Sequence, residues 1–236
     1  MQPQPLTDRQ LLDVCGRGHE RHPLDRALLL LAAALPGEET GGLADLTLAE
    51  RDQALLALRA ATFGRRLASY IDCASCGQRL EFQLDTANLL AISENAPAQG
   101  TVQLGERRFR LPTSRDLARI AEVSEEAEAS RRLAGLCCID GGEAALSNEL
   151  IANLEEAFAG ADPGGNIQLN FDCPACHRSW EEVFDIGEYF WEELETSSRL
   201  LIAQVHRLAS AYGWSEHDIL SLGAVRRALY IELVDA

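Results

Sequence analysis

Two C-x-x-C pairs, Cys73 with Cys76 and Cys173 with Cys176, stand one hundred residues apart in this 236-residue chain, and each sits in the same framework. The stretch YIDCASCGQRLEFQLD (70–85) aligns without a gap with part of NIQLNFDCPACHRSWEEVFDI (166–186). An apolar residue precedes the first cysteine by two in both copies (Ile71, Phe171), and an aspartate precedes it by one (Asp72, Asp172). Apolar residues follow the second cysteine by four and eight (Leu80 and Leu84; Trp180 and Phe184), and an aspartate follows by nine (Asp85, Asp185). The alternation of Leu67, Ser69 and Ile71, then Leu80, Phe82 and Leu84, predicts a hairpin with the cysteines at its turn. Such a turn presents both sulfurs on one side, so two hairpins packed together offer Zn2+ four thiolates: Cys73, Cys76, Cys173 and Cys176. A closed four-sulfur shell leaves no position for water or substrate, which makes the expected zinc structural. Structural zinc contributes about 10–16 kcal/mol in small modules. Closing a loop of this length costs only about 4 kcal/mol, so an insertion between the halves is tolerable.

Alternatives stay open at this level. Each pair could be a thioredoxin-like redox couple, although that chemistry favours a helix N-terminus over a strand turn. Each could also be half of a site completed by another chain. His177, next to Cys176, reads as an exposed or supporting residue rather than a ligand. Cys137 and Cys138 in RRLAGLCCID read as core, and nothing around Cys15 suggests activation.

The expected fold is mainly α with a small β component: a split four-cysteine zinc ribbon carrying an α-rich insertion, flanked by N- and C-terminal helices. Five regions follow: an N-terminal helical region (1–65), the first ribbon half (66–92), an inserted hairpin plus helices (93–164), the second ribbon half (165–186) and a C-terminal helical region (187–236). In the first region Thr7, Pro23, and Thr47 with Glu50 mark three helix starts, Gly64 marks a stop, and Pro36 with GEETGG separates the last two helices. In the insertion, Val102 and Leu104 face Phe109 and Leu111 across a Gly105-Glu106 turn. Thr113 and Ser147 cap later helices, and Gly160 is expected to end the last of them. Arg107, Arg108 and Arg110 form a basic cluster best read as pairing with nearby acids. Phe190, Leu194, Leu201, Val205, Leu208 and Tyr212 form a narrow seam that needs a partner helix, in this chain or another. Gly213 ends that helix, Ser215 with Asp218 starts another, and Gly223 interrupts the last.

Charge narrows the function. Against 37 acidic residues stand 21 basic ones, a formal charge of -16, which repels nucleic acid and anionic membranes. Seven cysteines, four of them in metal-type pairs, point to a reducing compartment and hence to the cytoplasm. Ala27 to Leu35 is apolar but follows an acid-containing leader and is too short to cross a bilayer, so neither a signal peptide nor a span is expected. No Walker loop, G-x-S-x-G, H-E-x-x-H or GxGxxG is present, and His206 and His217 match no catalytic signature.

The order of ERDQALLALRAATFG, CASCG, CPACH, FDIGEYFWEEL and VHRLASAYGWSEHDILSLGAVRRALYIELV resembles the baseplate protein family of T-even-like phages and related contractile tail-like injection systems. The last stretch is the most specific. The resemblance implies a non-enzymatic hub component or assembly chaperone, cytoplasmic or incorporated in a phage-tail-like particle, that contacts baseplate, hub or tail-tube proteins. Trp214, Ile219, Leu220, Leu222, Arg226, Arg227 and Tyr230 match its terminal motif and are the candidate partner contacts. The alternative reading is a nucleic-acid-binding zinc-ribbon regulator, which would need its arginines to converge on one face.

Overall fold

A computed structural model describes residues 3–35, 37, 40–94, 100–140 and 146–235. Pro36 and part of the GEETGG segment lie outside the described residues. Local capping chemistry sets the N-terminal helices. Helix α1 (Asp8–Gly18) opens with a reciprocal box in which the Thr7 and Gln10 side chains each bind the other's backbone N–H. Helix α2 (Pro23–Ala34) starts on proline, whose missing N–H is not needed there. It buries Leu28, Leu29, Leu30 and Leu31 in succession, so it is surrounded by protein rather than lying on the surface. A single turn, α3 (Thr40–Leu43), precedes α4 (Leu48–Phe63), which the Thr47–Glu50 box begins and Gly64 ends with a positive φ of 94°.

The first cysteine hairpin is β1 (Arg66–Asp72) with β2 (Arg79–Asp85), paired Leu67 to Leu84 and Ile71 to Leu80. It runs directly into α5 (Thr86–Glu94), started by the Asp85 carboxylate accepting from the Ala87 N–H at 2.8 Å. The insertion continues with β3 (Thr101–Leu104) and β4 (Arg107–Arg110), whose register places Val102 opposite Phe109. Helices α6 (Ser114–Ile120), α7 (Glu126–Cys137) and α8 (Asn148–Ala161) complete it. Helix α8 runs one residue past Gly160, because glycine is tolerated inside a final turn and Asp162 supplies the cap. The second cysteine hairpin, β5 (Gln168–Asp172) with β6 (Ser179–Val183), leads into the long α9 (Ile186–Tyr212). Gly213, at φ 71°, turns the chain into α10 (Glu216–Ser221) and α11 (Ala224–Asp235).

The molecule is therefore mainly helical, with three separate two-stranded antiparallel sheets among the described residues. Its larger apolar cluster gathers Leu11, Val14, Leu30, Leu31, Leu55, Leu58, Leu67, Leu89, Ile167, Phe190 and Leu194, so α9 packs within the chain against α1, α2 and α4. Leu201 and Leu208 of the expected seam are buried, whereas Tyr212 is exposed. A second cluster, Val102, Phe109, Leu111, Ala134, Ile151 and Leu154, belongs wholly to the insertion.

The insertion docks on the N-terminal end of α4. Asp162 accepts from the Ala49 N–H at 3.1 Å, Arg115 pairs with Asp45 at 2.6 Å, and Arg51 reaches the Ser114 hydroxyl at 3.3 Å. Beside this seam Asp52, paired with Arg51 at 2.6 Å, is held in a buried position that pushes its carboxyl up to about 6; burial outweighs the arginine. Asp185 and Asp162 add to the upward shift. An acid with a raised folded-state pKa loses stabilisation as pH climbs from its unfolded value through the folded one. The stability of Asp52→Asn relative to the parent should therefore rise by roughly 1 kcal/mol between pH 5 and 7 and then level off, measured by urea unfolding. A pH-independent difference would contradict the buried-carboxylate account.

No helix among the described residues is long and apolar enough to cross a membrane.

Candidate metal centre

The two cysteine turns have the same internal geometry. In the first, the Cys73 N–H donates to the Gln78 carbonyl at 2.9 Å and the Gly77 N–H to the Cys73 carbonyl at 2.8 Å. In the second, Cys173 donates to Arg178 and His177 to Cys173, each at 2.9 Å. The position after the second cysteine is left-handed in both, Gly77 at φ 73° and His177 at φ 59°. Glycine adopts that conformation without a Cβ penalty, whereas His177 is the one described non-glycine residue with positive φ. His177→Gly should thus raise stability by about 1 kcal/mol; a lowered melting temperature would show that the imidazole contributes more than its backbone strain costs.

The hairpins meet through their inner faces. Phe82 lies 5.0 Å from Phe171 in an edge contact, and Phe171 stacks on Trp180 at 5.5 Å. The aspartate before each first cysteine locks its own hairpin: Asp72 holds Arg79 through two bonds of 2.9 and 3.1 Å, and Asp172 accepts from the Ser179 hydroxyl at 2.6 Å. These contacts bring the four sulfurs together. Cys73 Sγ lies 3.7 Å from Cys176 Sγ, Cys76 Sγ lies 3.6 Å from Cys173 Sγ, and all four fall within 4.8 Å of one another. A single ion bonded to four thiolates at about 2.3 Å requires sulfur separations of about 3.8 Å. The cluster has the size of one tetrahedral shell.

The thiols of the cluster differ in how readily they ionise. Backbone N–H groups of Cys176 and Ala175 point at the Cys173 sulfur and hold that thiol down to about 7. The Ser75 and Cys76 N–H groups lower Cys73 in the same way. At Cys76 the Gln78 N–H pulls downward, but the Cys173 sulfur, burial and the remaining sulfurs prevail and push it up to about 12. Four thiolates this close cannot all ionise against one another unless positive charge sits among them. Cys73 and Cys173 are buried and Cys76 and Cys176 exposed, so the shell has an inner and an outer half.

What holds the two halves in place was not apparent from the motifs. The Arg59 side chain, 3% exposed, donates to the Gly64 and Arg66 carbonyls at 2.8 Å each, at the entry to β1. It also pairs bidentately with Glu193 of α9 at 2.8 and 2.6 Å. Tyr189, on the same helix, donates its hydroxyl to the Ala68 carbonyl in β1 at 2.9 Å. Helix α9 is continuous with the second hairpin, and the Asp185 carboxylate at its start accepts from Gly187 and Glu188. One helix end thus indexes both hairpins. The signal in the sequence was an arginine in an otherwise apolar stretch of α4.

The remaining expected residues fall elsewhere. Cys137 is buried and its thiol is pushed up to about 12 by burial, Cys15 and Cys138 pack against the two apolar clusters, and His206 and His217 are exposed. Arg108 pairs with Asp140 at 2.9 Å and Arg110 with Asp116, the latter at a buried carboxylate. Other pairs join Arg65 to Asp85 at 3.1 Å and Arg227 to Asp8 at 2.6 Å, so much of the basic charge is neutralised within the chain.

Among the terminal-motif residues, Ile219 is fully buried and Arg227 nearly so, with its guanidinium also bound to Gln204 and the Leu222 carbonyl at 2.9 Å each. Those two side chains serve the chain's own packing. Leu220 and Leu222 are half-buried. Trp214 stacks on Tyr212 at 4.7 Å and meets Tyr230 edge-on at 4.9 Å, and Arg226 is exposed beside Tyr230.

No family model matches the chain, and no curated protein or solved structure is detectably similar to it. The four-cysteine cluster is compatible with a bound metal ion.

Proposed function

We propose that the chain is a non-enzymatic structural or assembly protein whose scaffold is a split zinc ribbon closed by Cys73, Cys76, Cys173 and Cys176. The observation that carries this reading is the approach of sulfurs 97 and 103 residues apart to within one tetrahedral edge. An all-thiolate shell suits zinc among the common divalent ions and leaves no open coordination position for Lewis-acid chemistry. Its contribution is mechanical: it ties the two ends of the insertion together and fixes the base of α9. What such a frame offers is surface, presented by the insertion and by the α9–α11 region.

The setting we propose is the baseplate of a contractile phage-tail-like particle, as a minor component or an assembly chaperone. The resemblance of the terminal motif supports it, and the exposure of Arg226 beside the Trp214–Tyr230 pair is suited to partner contact. Purified protein should contain one zinc per chain by elemental analysis. Tagged protein expressed in a tail-forming strain should copurify with baseplate, hub or tube proteins. A metal-free, fully folded protein would remove the scaffold reading, and copurification with nucleic acid instead of tail proteins would replace the assembly reading.

A further inference from the structure

The four sulfurs are arranged in pairs as well as in a shell. The two sulfur pairs in hydrogen-bonding contact, Cys73 with Cys176 at 3.7 Å and Cys76 with Cys173 at 3.6 Å, both run from one hairpin to the other. Each pair joins an exposed sulfur to a buried one: Cys176 to Cys73, and Cys76 to Cys173. A disulfide holds its sulfurs about 2.05 Å apart, so each pair needs to close by only about 1.6 Å. The contacts that set the hairpins face to face do not involve an ion. Phe82 meets Phe171 at 5.0 Å, Phe171 stacks on Trp180 at 5.5 Å, and Arg59 and Tyr189 tie β1 to α9. These contacts keep the sulfurs near one another while an ion leaves.

We infer that the four cysteines are also a peroxide-responsive modification site, at which oxidation closes two disulfides between the hairpins, Cys73–Cys176 and Cys76–Cys173, in place of the metal. The inference concerns the regulation of the proposed zinc site and rests on that reading. The exposed sulfur of each pair, Cys76 or Cys176, is the one that peroxide reaches from solvent. It attacks one peroxide oxygen: an S–O bond forms, the O–O bond breaks, and hydroxide leaves and takes up a proton. The buried sulfur of the same pair then attacks the sulfenic acid, forming the S–S bond, breaking the S–O bond and releasing a second hydroxide. Each pair gives up two electrons and reduces one peroxide to two waters. Over the cluster, four thiolates, two peroxides and four protons give two disulfides and four waters, and the ion leaves as Zn2+. The frame then has two closed forms, one held by metal when reduced and one held by disulfides when oxidised. Bonds within each C-x-x-C turn would release the ion equally well but would leave the hairpins unconnected.

The test uses the reduced, zinc-loaded full chain treated with hydrogen peroxide. About two equivalents should release about one zinc per chain to a chromogenic chelator. Tandem mass spectrometry should find the tryptic peptides 67–79 and 133–178 joined, with bonds Cys73–Cys176 and Cys76–Cys173. Hydrogen-exchange protection in 67–84 and 169–184 should persist in the oxidised, zinc-free chain, whereas reduced protein stripped by a chelator should lose it. Cys76→Ser combined with Cys176→Ser removes the exposed member of each pair, and crosslinking of the two buried sulfurs left should be at least about tenfold slower. Disulfides within the turns or between two chains, sulfinic acids in place of disulfides, protection lost on oxidation, or an undiminished rate in the double variant overturns the inference. Zinc content before oxidation tests the scaffold reading separately. A zinc-loaded chain that forms the wrong disulfides fails here alone, and a folded chain without zinc fails the scaffold reading while its disulfide map still decides the pairing.

Discussion

Replacing Cys173 with Ser is expected to empty the metal site and loosen both cysteine hairpins at once. Cys173 is one of the two buried sulfurs, receives two backbone N–H groups and touches Cys76 across the hairpin interface. With three ligands left, the ion of the proposed site would lose its closed shell, and the hairpins the bond it makes between them. Structural zinc contributes about 10–16 kcal/mol in small modules, comparable with the whole stability of a typical domain, about 5–15 kcal/mol. The helical core need not unfold outright, because most of its buried leucines lie in α1, α2, α4 and α9. The expected result is zinc falling from one per chain to none, with hydrogen-exchange protection lost in 67–84 and 169–184 together. Cys137→Ser, a buried cysteine outside the cluster, should leave the metal in place. Zinc retained at full stoichiometry by Cys173→Ser, or protection lost in one hairpin alone, would defeat the split site.

Arg59→Leu is expected to cost about 3–5 kcal/mol, as breaking a buried ion pair from one side usually does. The loss does not come from Coulomb attraction alone. Glu193 is left without its cation, and the Gly64 and Arg66 carbonyls lose the donors that satisfy them at the edge of β1. Edge carbonyls covered in this way also deny a foreign strand its pairing partners. Arg59→Lys should recover only part of the loss, since one ammonium cannot reproduce the bidentate pair and the two carbonyl bonds together. Urea unfolding of both variants, combined with Glu193→Gln in a double-mutant cycle, measures the coupling. A loss under about 1 kcal/mol would mean that the metal alone positions the first hairpin. If Arg59 indexes the hairpins as described, the variant should also bind zinc more weakly while keeping all four cysteines.

Much of the chain's local structure was open to reading because its signals act over a few residues. Thr7 with Gln10 and Thr47 with Glu50 are capping boxes whose donors and acceptors lie three apart, and Gly213 takes the left-handed turn its position suggested. The hairpins followed from period-two alternation, and the cluster from a repeat that aligned without a gap. Helix α5 escaped notice because its start depends on Asp85, which reads equally well as the last residue of a strand. Two terminal-motif residues, Ile219 and Arg227, turned inward for a similar reason: motif spacing says nothing of which side of a short helix faces the chain's own core.

By itself the sequence determined most of the elements and many of their ends, α5 and the end of α8 excepted, and that four cysteines share one repeated framework, because caps, alternation and turn chemistry are settled between neighbours. Only the tertiary structure decided that Arg59 meets Glu193 across 134 residues, that Asp8 holds Arg227, and that α11 displays its leucines outward. Those outcomes depend on which buried charge finds a partner once the chain has collapsed. No local pattern encodes that, since an arginine in an apolar helix looks the same before folding whether it ends in water or in the core.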